Sequence, residues 1–429
     1  MSPDLASASA PMADKIQPPA DPHRWFKWEI VLLLWFAFFL NQADRQIFGV
    51  TLPLIRAEFH LSDQQMGLVA TTFSIVFGLL VPIAGLAGDV FKRRDIVVFS
   101  LLVFSLGTLL TGSASSFVLL LIFRGVATGA GEAFYAPAAN SLIAERHVET
   151  RARALSIHQT ANYTGVVLGS LFAGWVADHH GWRAAFMTFG VAGVVWAAVI
   201  WLRARGQAKP PAAGRVDLRD QGRLALEAVG VLTRNPLLIG QTIGFCGLVF
   251  MLVGYLTWMP TILYERFHLS LASAGFQSVV YHHVMGYLGL LIAGVATDRL
   301  VRRFPRIRVF SMAVALMLCA PFIWLSANAG QLWLVYGALG AFGLFRGVYD
   351  ANLYAAMFDE VEDRLRSTVA GLIIACAYIV GAFAPWLMGL LKAAYGVRAG
   401  LELLSAAALA AGAVFLVFTL ASRRAAKAV

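Results

Sequence analysis

Twelve membrane-spanning α-helices in two pseudo-symmetric six-helix bundles are the fold class this sequence predicts, and three observations carry it. Of 429 residues, 59% are hydrophobic and only 14% charged, against about 25% charged in soluble domains. The chain offers about twelve apolar runs close to the ~20 residues a spanning helix needs. Finally, one phrase is written twice: Gly85-x-x-x-Asp89-x-x-x-Arg93-Arg94 recurs in the second half as Gly294-x-x-x-Asp298-x-x-x-Arg302-Arg303, with identical internal spacing. Phe123-Arg124-Gly125-Val126 is likewise echoed by Phe345-Arg346-Gly347-Val348. Two homologous halves in an apolar chain point to a machine that rocks one bundle against the other around a central site.

The elements follow in order. The first predicted span, 28–52, contains Asp44 and Arg45; the second, 64–88, runs into the Gly85 phrase. The third is 96–114. The fourth, 118–144, carries Arg124, Glu132 and a glycine-rich stretch from Gly125 to Gly131 suited to close helix packing. The fifth, 153–177, holds His158, Asn162 and Tyr163, and the sixth is 183–203. Residues 205–234, with Pro210, Pro211 and Gly214 among alternating charges, read as a cytoplasmic link between a first bundle (25–204) and a second (235–422). The second half offers spans at 236–262, 273–297 (with His282 and His283), 308–327, 331–357 (with Arg346 and Asp350), 366–391 and 398–421. Helix is the only open-ended form here, because a backbone in lipid must satisfy its hydrogen bonds within its own segment.

Charge sets the orientation. Twenty Lys and Arg lie in the even-numbered connections and five in the odd-numbered ones, so the even loops and both termini are expected to be cytoplasmic. That placement implies a multi-pass protein of a bacterial-type inner membrane. The net charge of +10 belongs to the same rule and not to nucleic-acid binding. Residues 1–24, rich in Ala, Pro and Ser, read as a disordered tail without the features of a signal peptide; 423–429 form a short basic tail. Cys246, Cys319 and Cys376 fall in different spans, give no metal spacing and are expected to pack in apolar surroundings.

The doubled phrase suits a cytoplasmic gate. Its glycines, Gly85 and Gly294, permit close helix contact. Asp89 and Asp298 can accept bonds from a neighbouring helix N-terminus. Arg93, Arg94, Arg302 and Arg303 can bridge to acidic groups of an adjacent loop. The pattern is similar to the loop signature of the major facilitator superfamily, with Lys92 and Val301 where that signature has a second glycine. Within the superfamily the first half resembles the spinster-type lipid transporters, on Asn41-Gln-Ala-Asp44-Arg45, Val50-Thr-Leu-Pro53, Arg124-Gly125 and Gly129-Ala-Gly131-Glu132-Ala133-Phe-Tyr135. The anion:cation symporters for sugar acids share the Asp-Arg and the Gly-Glu. The resemblance implies a monomeric secondary transporter, without cofactor, of a lysolipid or other anionic solute.

Ionisable groups in mid-membrane cost about 2.5–3.5 kcal/mol each on insertion scales, so they mark function. Asp44 and Glu132 are the candidate proton carriers. Asp44 and Arg124, on opposite helices, are expected to neutralise each other. Arg45 and Arg124 are the candidate anion ligands, because a guanidinium fork matches carboxylate or phosphate oxygens. Arg45 should point about 100° from Asp44, toward the fifth span or the substrate. His158, Asn162, Tyr163 and His282 are further candidates for contacting substrate. Arg346 and Asp350, four apart, should pair within their helix as part of the gating structure. No phosphate-binding glycine loop, zinc motif or nucleophile elbow occurs, which leaves a transporter ahead of an enzyme, and the conformational latch argues against a channel.

Overall fold

The computed structural model describes residues 26–147, 150–204 and 218–425. The tail expected at 1–24 lies outside them. Among the described residues there are twelve spans: α1 (Phe26–Phe59), α2 (Asp63–Val90), α3 (Arg93–Gly112), α4 (Phe117–Arg146), α5 (151–180), α6 (182–203), α7 (Pro236–Phe267), α8 (Leu271–Leu300), α9 (Ile307–Asn328), α10 (Leu332–Phe358), α11 (Arg366–Tyr395) and α12 (Val397–Ala425). Ten segments are long and apolar enough to cross a membrane by length and composition. One of these, Arg153–Arg203, doubles back at Gly181 and supplies two spans. The remaining span is α1, whose polar run from Asn41 to Gln46 dilutes its hydropathy.

The repeat is visible in the turns. Phe59-His60-Leu61-Ser62 and Phe267-His268-Leu269-Ser270 are a further echo between the halves. In both, the histidine sits in the left-handed region (φ 51° and 52°) and ends a helix. The serine side chain then accepts from a backbone N–H three residues on, capping the next helix. Likewise Gly181 (φ 81°) and Gly396 (φ 85°) reverse the chain between α5 and α6 and between α11 and α12, a backbone angle that glycine adopts without strain.

The connection between the halves is more than a link. Leu218–Arg234 is helical and lays Leu224, Ala228, Val231 and Leu232 against Met357, Val361, Leu365 and Val369 at the ends of α10 and α11. Its apolar stripe recurs at helical spacing, a signal overlooked among the flanking prolines and charges. The cysteine expectation holds for Cys319, which is buried; Cys376 is exposed and Cys246 half-buried.

Candidate functional site

The two halves meet through α1 with α7, α2 with α11 and α5 with α8. At the odd-loop end the crossings are tight. A Cβ on Gly389 would lie 2.3 Å from the Asp63 carbonyl oxygen, and one on Gly174 would lie 2.5 Å from the Ala272 backbone. The interval from Gly174 to Gly389 equals that from Gly181 to Gly396, so repeat-related positions make repeat-related contacts. Beside the first crossing, Arg56 and Lys392 interleave with Asp63 and Glu265: Arg56–Asp63 2.6 Å, Arg56–Glu265 3.0 Å, Lys392–Asp63 3.1 Å and Lys392–Glu265 2.9 Å. Beside the second, the Leu271 and Ala272 N–H groups at the start of α8 donate to the Asp178 carboxylate at 3.0 and 2.9 Å, an anion at a helix N-terminus. Each set joins one half to the other.

The even-loop end is different. Nothing lies within 4 Å of a Cβ built on Gly85 or Gly294, so neither motif glycine makes the close helix contact their spacing suggested. Both positions are open at that end. Motif charges pair within their own half: Arg93 with Glu145, Arg94 with Asp95, and Asp298 with Arg308, which also bonds Asp359. Asp298 thus takes a side chain of α9 and not a helix N-terminus. Arg303 lies over Phe304; the Asp89 side chain is outside the described residues.

Between the halves, inward of the seal, lies a cavity of about 250 Å³. Gln42, Arg45 and Gln46 of α1, Asn162 of α5, Arg346 of α10 and Tyr378 of α11 supply most of its polar wall. Asp44 and Arg124 pair as expected: Nη1 of Arg124 reaches Oδ2 of Asp44 at 2.6 Å, and the Thr108 hydroxyl donates to Oδ1 at 2.6 Å. Arg124 Nη2 donates to the Asp44 and Arg45 carbonyls. The local fold explains the reach. Leu121–Thr128 is a stretch of π-helix, the wide turn often found where a helix carries function.

Arg45 lines the cavity and does not meet the fifth span. Its Nε donates to Oε2 of Glu132 at 2.5 Å instead of reaching α5. The guanidinium also stands 4.5 Å from the Phe77 ring centroid. Consecutive α1 residues therefore serve two acid–base pairs on α4, Arg124 within its π-helical stretch and Glu132 just beyond it. Oε1 of Glu132 has no hydrogen-bond partner. Arg346 and Asp350 form the expected pair at 3.1 Å, and Nη1 of Arg346 donates to Nε2 of His282 at 3.4 Å. His158 is buried, its ring stacked on Phe38 and its Nε2 3.3 Å from the Tyr135 hydroxyl; its neighbour one turn on, Asn162, faces the cavity. Tyr163 packs on His283 and Tyr287. Sequence reasoning missed Tyr378 and the Arg56–Asp63–Glu265–Lys392 group, since neither shows in local spacing.

Asp44→Asn should destabilise the fold by ~3–5 kcal/mol, since it strands a buried guanidinium. Thermal unfolding in detergent checks this, and Asp44→Asn combined with Arg124→Gln should recover part of the loss.

With this geometry, the comparison with known proteins is decisive at one level. The Major Facilitator Superfamily pattern matches residues 34–385. The chain belongs to the major facilitator superfamily. It is therefore a multi-pass integral membrane transporter and not an enzyme. It is 29% identical over 389 residues to Protein spinster homolog 1 of Xenopus tropicalis, covering 85% of this chain and 72% of that one. It is 26% identical over 392 residues to the hexuronate transporter of Bacillus subtilis, covering 88% and 91%. A probable galactarate/D-glucarate transporter of Bacillus subtilis is 25% identical over 407 residues, covering 88% of each chain. Among solved structures, a bacterial homolog of the human lysosomal transporter Spinster, inward-facing and unoccupied, superposes with a TM-score of 0.80 at 20% identity, covering 92% of this chain and 98% of that one. This last likeness supports the superfamily fold. Sequence relatives thus fall into both groups that the motifs resemble.

Proposed function

We propose that this superfamily member is a proton-coupled transporter of a small organic anion, working by alternating access. The observation that carries the reading is the cavity wall, where guanidinium groups with acid partners face a space closed at the odd-loop end. An arriving anion can take over an arginine from its carboxylate, and a proton can compensate that carboxylate. Anion and proton are then coupled without touching each other. The cavity volume favours a sugar-acid-sized solute over a lysolipid: about 250 Å³ falls just below the roughly 300–1,000 Å³ of sites for drug-sized ligands. The hexuronate and galactarate/D-glucarate relatives agree with that size. The lysolipid reading rests on the spinster relatives and would need the acyl chain to leave the cavity.

With even loops cytoplasmic, as their positive charge argues, the sealed odd-loop end is periplasmic and the state is inward-facing. The charge pairs within each half at the even-loop end would rearrange when that end closes. A thermal-shift screen of the purified chain tests the substrate class. Hexuronate or aldarate should raise the melting temperature in a saturable way, and lysophosphatidylglycerol should not. Stabilisation by the lysolipid alone would reverse the assignment.

A further inference from the structure

The repeat that relates Gly174 to Gly389 and Gly181 to Gly396 relates Tyr163 to Tyr378 at the same interval. Tyr378 lines the cavity, and Tyr163 adjoins it, packed on the lining residue His283 and next in sequence to Asn162. Tyr378 of the second half packs its ring 4.8 Å from Phe77 and approaches the Arg45 guanidinium of the first half. Tyr163 of the first half packs on His283 and lies near Arg346 of the second half. Each tyrosine therefore lies near an arginine of the opposite half.

The three mid-membrane arginines are not equivalent. The Arg124 side chain is 4% exposed and its donors are taken by Asp44 and two carbonyls. Arg45 and Arg346 are 21% and 20% exposed and line one cavity from opposite halves. Nε of Arg346 is buried against the Asp350 carboxylate at 3.1 Å, and Nη1 lies 3.4 Å from Nε2 of His282. Between them the wall carries the amides of Gln42, Gln46 and Asn162, which suit hydroxyl groups.

We propose, building on the anion-transporter reading, that the cavity takes a dianion with a carboxylate at each end of a short hydroxylated chain. One end sits on Arg45 and Tyr378, the other on Arg346 and Tyr163. Arg346 is then a substrate ligand and not only a gating residue. Such a ligand ties both halves together, so occupancy is felt by the rocking motion. The charges agree. Asp44–Arg124, Arg45–Glu132 and Arg346–Asp350 sum to zero, and protons on Glu132 and Asp350 leave the two positive charges that a dianion neutralises.

The test is calorimetric titration of the purified full chain with D-glucarate and with D-gluconate, which has the same carbon skeleton but one carboxylate. D-glucarate should bind at least about tenfold tighter, the effect of one added charge-assisted contact. Arg346→Gln should bring D-glucarate to about the D-gluconate level and weaken D-gluconate much less. Tyr163→Phe and Tyr378→Phe, which keep the ring packing, should each weaken D-glucarate more than D-gluconate. Equal affinities for the two acids, or variants that weaken both acids alike, overturn the two-ended site while the anion reading stands. Binding of neither acid overturns both.

Discussion

Glu132→Gln should abolish proton-driven accumulation of substrate while leaving equilibrium binding nearly intact. The Glu132 side chain is fully enclosed; one oxygen holds Arg45 and the other has no partner. A proton placed on the unbonded oxygen would cancel the ion pair and free the arginine for an anion. Glutamine copies the protonated carboxyl group in shape and hydrogen bonding but cannot release a proton. The variant should therefore bind and exchange substrate, yet not concentrate it along a pH gradient. A variant that still concentrates substrate would move the coupling role to Asp44.

Gly389→Trp or Gly174→Trp should lower transport at least about tenfold by preventing closure of the odd-loop end. A Cβ at either position already meets backbone at 2.3 or 2.5 Å, and packed backbone yields little. Gly85→Trp has the opposite sense: the position is open here, so the indole should obstruct closure of the even-loop end alone. Labelling of Tyr378→Cys by an impermeant thiol reagent separates the cases. Reagent on the odd-loop side should react in the Gly389→Trp background and not in the Gly85→Trp background. Unchanged transport in both seal variants would show that these glycine crossings do not gate access.

Much of this architecture is legible in the sequence because lipid leaves few choices. Apolar length marks each span, and loop charge marks its sidedness. Buried charge in such a setting points to a site by itself, and Asp44 with Arg124 is an example. The Arg45–Glu132 pair was not legible, because it depends on how α1 and α4 rotate against each other. A π-helical stretch in α4 alters that rotation, and helical-wheel geometry does not anticipate it. Tyr378 and Lys392 escaped notice for another reason: their meaning comes from partners in the other half, remote in sequence. The Phe-His-Leu-Ser echo could have been found, since it lies in plain text at 59–62 and 267–270. Aligning the halves on it, and on the glycine pairs near 174 and 389, maps the seal from sequence alone. The helix at 218–234 was obscured by its surroundings, where charge and proline suggest a link and the apolar stripe is easily passed over.

The most direct measurement is uptake into proteoliposomes of whichever acid binds most tightly, with an imposed inward proton gradient and no other driving force. The wild type should accumulate the acid above the external concentration and lose that gradient when a protonophore is added, while Glu132→Gln should only equilibrate it. Equilibration of the wild type at the same rate and extent with and without the gradient would contradict proton coupling.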